Sequence, residues 1–124
     1  MKPCAVVLLF WLAGCVYSAA DIRDNPVVAT WTLPAPPERA AHCIARDIAS
    51  DEQSVWTASV HAGFAPGSLE VFQYLSMVNL SGPNLRAIYT VVPAPDGSEI
   101  SLRWTLSAES QLRKFSQYGR ANCF

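Results

Sequence analysis

The chain has 124 residues, of which 51% are hydrophobic and 15% are charged, and its formal net charge is −1. This length allows one domain, and the composition is that of a folded globular protein and excludes a disordered chain. The nine lysines and arginines are scattered along the sequence, which argues against a nucleic-acid partner because phosphate binding requires clustered basic side chains.

The first predicted element is an apolar segment at the N-terminus. Lys2 precedes an unbroken hydrophobic run over residues 5–13. A helix needs about 20 apolar residues to span a membrane, so this shorter run is typical of a signal peptide. The alternative is that the run forms a buried helix or strand of the mature fold, which its position at the start of the chain disfavours.

The four residues Leu12-Ala13-Gly14-Cys15 resemble the lipobox of bacterial lipoproteins at every position. The resemblance implies that a diacylglyceryl group is attached to the Cys15 sulfur and that the chain is cut before this residue. Two or three fatty chains on one residue hold a protein on a membrane far more stably than a single chain does. In the enterobacterial pattern an aspartate after the cysteine favours the inner membrane, so Val16 at this position favours the outer membrane.

A second cleavage site competes with the lipobox. Ser18-Ala19-Ala20 before Asp21 fits the small-x-small pattern of the ordinary signal peptidase. A cut there would leave a soluble secreted or periplasmic domain. The lipobox interpretation instead assigns residues 1–14 to the signal peptide, 15–26 to a tether and 27–124 to a single domain.

Two of the four cysteines, Cys43 and Cys123, fall in the predicted domain. An even pair in an oxidising compartment predicts a disulfide bond between them. It would close a loop of about 80 residues, which on the chain-entropy model stabilises the fold by roughly 4–5 kcal/mol. A metal-binding thiol is disfavoured, because His42 directly adjoins Cys43 and no Cys or His lies at ligand spacing from Cys123.

The predicted domain begins with a short extended segment and a helix. Residues 27–33 are rich in β-branched and aromatic side chains, which predicts an edge strand or an extended arm that ends at Pro34. After Pro37 the apolar residues follow helical spacing, with Ala40, Ile44 and Ile48 on one stripe. We therefore expect a helix whose buried face borders Cys43.

Four strands are predicted next, over residues 55–61, 69–78, 85–92 and 99–106, separated by turns rich in glycine and proline. In the last strand Leu102 and Trp104 alternate with polar residues, so one face of the sheet is expected to meet water. Ser107 caps a final helix with an apolar stripe at Leu112 and Phe115. The predicted fold is α+β: a four-stranded antiparallel meander with an N-terminal and a C-terminal helix packed on one face (α-β-β-β-β-α).

Catalytic and cofactor motifs do not occur in the sequence. There is no G-x-S-x-G, no H-E-x-x-H, no glycine-rich phosphate loop and no C-x-x-C. His42 is expected on the outer face of a helix and His61 at the end of a strand, where a histidine is more often exposed than catalytic. The sequence therefore predicts no enzyme, no cofactor and no metal site.

Four residues form the candidate binding surface: Trp31, Phe72, Tyr74 and Arg103. Trp31 stands beside prolines outside the predicted sheet, so it is expected to be partly exposed. Phe72 and Tyr74 alternate out of phase with the apolar residues of their strand, and with Arg103 they would border a binding surface if the helices leave that face open.

Three functions are compatible with these features. The first is a small envelope lipoprotein, anchored to the membrane through Cys15, that binds a protein or glycan partner with its sheet face. The second, from a different class, is a hydrolase, a soluble hydrolase accessory or an enzyme inhibitor that acts on cell-wall material in a cleft between the turns. The third is a structural accessory that buries its aromatic residues in a permanent complex.

Overall fold

The computed structural model of the protein describes residues 18–50, 56–75, 84–105 and 109–120. The predicted signal peptide, the proposed lipidation site Cys15, the capping residue Ser107 and the disulfide partner Cys123 lie outside the described residues. The helices and strands follow in the order α1 (Ala19–Arg23), β1 (Ala29–Leu33), α2 (Pro37–Ala49), β2 (Trp56–Ala62), β3 (Leu69–Leu75), β4 (Asn84–Ala94), β5 (Gly97–Trp104) and α3 (Glu109–Phe115).

The strands of the described ranges form one antiparallel sheet in the order β1-β5-β4-β3-β2. The predicted class, an antiparallel sheet with helices, is confirmed, but the sheet has five strands instead of four. The additional strand is β1, where Trp31 pairs with Ile100 of β5. Pairing satisfies the backbone groups of the 27–33 segment, which would otherwise need water or another partner.

The first face of the sheet, which α2 covers, holds the main core. Ala40, Ile44 and Ile48 of α2 are fully buried, as their helical spacing predicts. At the C-terminal end of the chain, the Phe115 ring of α3 meets the rings of Trp56 and Trp104 edge to face, with centroid separations of 5.4 and 5.7 Å. The N-terminal and C-terminal helices of the prediction thus share this face.

The described part of the predicted tether, residues 18–26, contains a helix, which corrects its assignment as an unstructured linker. Ser18 and Asp21 form a capping box, in which each side chain accepts a hydrogen bond from the other residue's backbone N–H. Helix α1 follows, and its Ile22 is fully buried against Leu85 and Ile88 on the second face of the sheet. Periodicity did not reveal this helix because a five-residue segment has too few positions to show an apolar stripe.

Candidate functional site

The second face of the sheet, opposite α2, carries the residues that alternate away from the main core. Because directly paired residues of antiparallel strands point to the same side, the pairing register defines this face across four strands. Its members include Ser59, His61, Glu70, Phe72, Tyr74, Ile88 and Arg103. Helix α1 packs on this face, so the face is partly covered and partly open to solvent.

An ion pair fastens α1 to strand β3. Arg23 Nε donates a hydrogen bond to Glu70 Oε2 at 2.8 Å, and Arg23 Nη2 donates one to Oε1 at 2.6 Å. The Glu70 side chain is only 5% exposed. The hydrogen bond to Glu70 raises the pKa of Arg23 above its ordinary value, although burial of the guanidinium by itself would lower this pKa. Both carboxylate oxygens of Glu70 are therefore engaged within the fold.

Beside this ion pair lies a group of polar and aromatic side chains that we call the His61 patch: Ser59, His61, Phe64, Phe72 and Tyr74. The His61 and Phe72 rings are 4.3 Å apart between centroids. Ser59 Oγ lies 2.7 Å from His61 Nε2 and donates a longer hydrogen bond, 3.5 Å, to the Tyr74 hydroxyl. The patch is thus a connected surface on a hydrogen-bonded sheet.

Phe64 is a highly exposed part of the patch. It lies in the turn between β2 and β3, and 83% of its surface is accessible. The Arg23 guanidinium carbon is 4.6 Å from the centre of the Phe64 ring and 5.8 Å from that of Phe72. This cation–π contact attracts the ring towards α1 but leaves most of its area in water.

The structure places the four predicted surface residues in three different environments. Trp31 is 4% exposed, and its Nε1 donates a hydrogen bond to the Tyr118 carbonyl oxygen at 3.2 Å. The expectation that Trp31 is exposed is wrong, because pairing with β5 turns its ring into the main core. Phe72 and Tyr74 lie on the second face and are half-buried, because they pack against the cluster of Ile22, Leu85 and Ile88.

Arg103 lies on the second face, as the alternation of β5 predicts. It is half-buried, and its Nε donates a hydrogen bond to the Asn25 carbonyl oxygen at 3.1 Å. In return, Asn25 Nδ2 donates to the carbonyl oxygen of Trp104. Arg103 therefore helps to hold the segment after α1 on the sheet, in addition to facing the candidate surface.

Sequence reasoning missed Arg23, Ser59, His61 and Phe64 as members of the site. Alternation along β2 does place Ser59 and His61 on the side opposite Trp56, so their common face was available from the pattern. No local pattern pairs Arg23 with Glu70, which is 47 positions away. That contact exists only because α1 folds back over the sheet.

Cys43 is disulfide-bonded. Its Sγ lies 3.8 Å from the Gly119 carbonyl oxygen, and the Gly119 N–H donates a hydrogen bond to Asp47 at 2.7 Å. The end of the described chain therefore runs alongside α2 next to Cys43. The predicted partner, Cys123, lies outside the described residues, so this pairing stays a prediction.

Within the described ranges, no group of three or more His, Cys, Asp and Glu side chains is arranged to hold a metal ion. One cavity of about 270 Å³ lies between residues 32–34 and 94–98, and another of about 330 Å³ lies over Arg39, His42, Cys43 and Arg46 of α2. Neither of these two cavities is lined by residues of the His61 patch.

The comparisons with known proteins assign no family. No protein-family model, curated protein or solved structure matches this chain. The helices of the described residues include none that is long and apolar enough to cross a membrane. The chemistry of the His61 patch is accordingly the main guide to function. The patch offers an imidazole, two hydroxyls and three further aromatic rings, which can contact a partner by hydrogen bonding and stacking.

Proposed function

We propose that this protein is a small lipoprotein of the bacterial envelope, anchored through Cys15, that binds an envelope component with the His61 patch. The observation that carries the proposal is the patch itself. It presents His61 and the 83% exposed Phe64 to solvent on a face that α1 and the Arg23–Glu70 ion pair hold in place. A surface that is both aromatic and pre-ordered loses little conformational entropy when it binds a partner.

The start of the folded domain supports the anchor at Cys15. The N-cap of α1 is Ser18, whose side chain accepts the Asp21 N–H. A cut before Asp21 would remove Ser18 and the first turn of α1, together with the capping box that orders it. A cut before Cys15 would keep α1 intact and leave two residues between the lipidated cysteine and the cap.

The disulfide at Cys43 supports a location outside the cytosol. Disulfide bonds persist in the periplasm and on cell surfaces and are rare where thiols are kept reduced. We propose Cys123 as the partner, because Cys43 lies next to Gly119 and Cys123 follows four positions later. We further propose that the domain faces the periplasm from the outer membrane, since Val16 follows the lipidated cysteine.

Binding is favoured over catalysis by the surroundings of His61. A hydrolytic dyad needs a third group that orients the histidine, and the carboxylate paired with His61 across the sheet is Glu70. Arg23 already binds both oxygens of that carboxylate. His61 is also exposed on an open face, where solvent competes with any developing charge.

One contact favours the second candidate function, a hydrolase acting on cell-wall material. Ser59 Oγ and His61 Nε2 are 2.7 Å apart, the distance at which a serine nucleophile meets its base. A serine-directed phosphonate probe tests this candidate directly. Covalent labelling that is lost in Ser59→Ala would favour the hydrolase, whereas the binding proposal predicts no adduct on Ser59.

The experiment for the proposed function has two readouts on the same preparation. The first is the mass of the mature chain from intact envelopes, which should correspond to an N-terminal diacylated or triacylated Cys15 and should lose the lipid in Cys15→Ser. The second is photo-crosslinking in the envelope with benzoylphenylalanine at position 61. The matched control places the same amino acid at His42, the other histidine of the chain, which is exposed on α2.

We expect an adduct from position 61 and none from position 42. An unlipidated mature chain that starts at Asp21 would refute the anchor. Equal adducts from both positions would refute the His61 patch as the binding surface.

A further inference from the structure

We infer that the tip of the β2–β3 hairpin, residues 63–67, docks on the surface of the bilayer that carries the protein's own lipid anchor, with Phe64 as the inserted side chain. This inference rests on the proposed function, because it takes the anchor at Cys15 as given. It deepens that function by naming a lipid surface as the component that the exposed end of the His61 patch meets.

The composition of the hairpin tip fits a lipid surface. The tip reads Gly-Phe-Ala-Pro-Gly and contains no charged or hydrogen-bonding side chain. Phe64, Ala65, Pro66 and Gly67 are all exposed. A protruding loop of this kind leaves apolar area in water when the protein is free, and that area is removed from water at the boundary between headgroups and acyl chains.

Hydrogen bonds at the base of the hairpin hold the tip in place. The Gly63 N–H donates to the Ser68 carbonyl oxygen at 2.9 Å, and the Ser68 N–H donates to the Ala65 carbonyl oxygen at 3.0 Å. The Ser68 hydroxyl, which is buried, donates a second hydrogen bond to the same oxygen at 2.7 Å. The other backbone groups of the tip need polar partners, so the tip is expected to dock at the level of the headgroups, with the Phe64 side chain as the part that reaches the acyl chains.

The position of the anchor brings the membrane to this side of the molecule. Helix α1 packs on the second face of the sheet, and its Arg23 contacts Phe64 at 4.6 Å. Cys15 lies three positions before the α1 cap, Ser18. Three extended residues span at most about 10 Å, so the lipid must leave the domain close to α1. A domain anchored so closely holds its α1 side near the headgroups.

The charge of Arg23 is compatible with insertion of the neighbouring Phe64 ring into the bilayer. Its guanidinium is balanced by Glu70 and stacks on the Phe64 ring, so the charge stays at the headgroup level while the ring points beyond it. The net charge of −1 and the scattered basic residues do not favour attraction to anionic lipid. Docking is therefore expected to depend on the aromatic tip and the anchor, and to persist at high salt.

The test uses the lipidated full-length mature chain, reconstituted into vesicles of phosphatidylethanolamine and phosphatidylglycerol with or without bromine on the acyl chains. Phe64→Trp places a fluorescent reporter at the tip and keeps an aromatic ring against Arg23. The control, Ala49→Trp, places the same reporter at the exposed end of α2 on the opposite side of the sheet. The unsubstituted chain supplies the background from its buried tryptophans.

The inference expects a blue shift and a loss of emission in brominated vesicles for Phe64→Trp, unchanged in high salt, with neither effect for Ala49→Trp. Flotation of the vesicles reports the anchor separately. If the chain floats but the reporter at position 64 is not quenched, the docking inference is wrong and the anchor stands. If the chain does not float with vesicles, both the anchor and the docking that depends on it are overturned.

Discussion

Arg23 and Glu70 are joined by two short hydrogen bonds, although 47 positions separate them in the sequence. The pair holds α1, a five-residue helix, against the sheet. Ile22 is the only side chain of this helix that is fully buried there. Two-point contact between a guanidinium and a carboxylate constrains direction as well as distance. The pair thereby sets where α1 meets the sheet.

Glu70→Gln should destabilise the fold by about 1–3 kcal/mol, because it leaves the part-buried Arg23 guanidinium without its counter-charge. The free energy of unfolding in denaturant measures this loss. Replacing both partners, as Arg23→Met with Glu70→Leu, should cost less than Glu70→Leu alone, since no unpaired charge remains.

Glu99→Gln is the matched control for that prediction, because Glu99 is exposed on the same face of the sheet. It should change the unfolding free energy by less than about 0.5 kcal/mol. Equal effects of Glu70→Gln and Glu99→Gln would show that the ion pair contributes nothing to the fold.

Trp31→Phe should destabilise the domain by about 1–3 kcal/mol, because it removes the indole N–H from the buried Tyr118 carbonyl oxygen and leaves a space beside the Tyr89 ring. Phe64→Leu, at a site that is 83% exposed, should be close to neutral in the same thermal or chemical unfolding assay. A Trp31→Phe variant with unchanged stability would contradict the burial of this side chain and would agree with the exposed position that the sequence predicts.

Cys43→Ala should lower the unfolding free energy by about 2–5 kcal/mol, because the disulfide restricts the unfolded chain. If Cys123 is the partner, Cys123→Ala should have a similar effect and the double substitution should add little to either. Peptide mapping without reduction identifies the pair directly. A fully additive double substitution would contradict the Cys43–Cys123 pairing.

The buried pair of Tyr89 and Gln73 should make the fold sensitive to alkali. The Tyr89 hydroxyl donates to Gln73 Oε1 at 2.6 Å, and burial, with a contribution from Tyr118, raises the pKa of Tyr89 well above its usual value. In the unfolded chain this tyrosine loses its proton near its ordinary pKa of about 10. Above that pH the unfolded state therefore binds fewer protons than the folded state, and stability falls as pH rises.

Tyr89→Phe tests the origin of this alkaline loss. It should be less stable than the unsubstituted chain at neutral pH, because Gln73 Oε1 loses its donor, but its stability should fall less steeply above about pH 10. Tyr74→Phe, on the half-buried second face, is the control. Unfolding free energies across this pH range give both slopes, and identical slopes for Tyr89→Phe and the unsubstituted chain would exclude Tyr89 as the cause.

The sequence by itself determined the elements whose signals are local. Helical spacing revealed the buried stripe of α2. Period-2 alternation and the turns rich in glycine and proline located strands β2 to β5, and alternation gave the orientation of Arg103. These features depend on neighbouring residues, which the same backbone geometry relates in every protein. The lipobox resemblance is local in the same sense, and it stays a prediction about the chain before Ser18.

Only the tertiary structure decided the features that depend on distant residues. Trp31 is buried because β1 pairs with β5 and its indole reaches Tyr118, 87 positions later, and α1 is folded because Arg23 reaches Glu70. A five-residue strand or helix has little stability of its own, so its position is set by the surface it packs on. That surface exists only after the sheet has formed, which is why no local pattern could pair Arg23 with Glu70 beside the His61 patch.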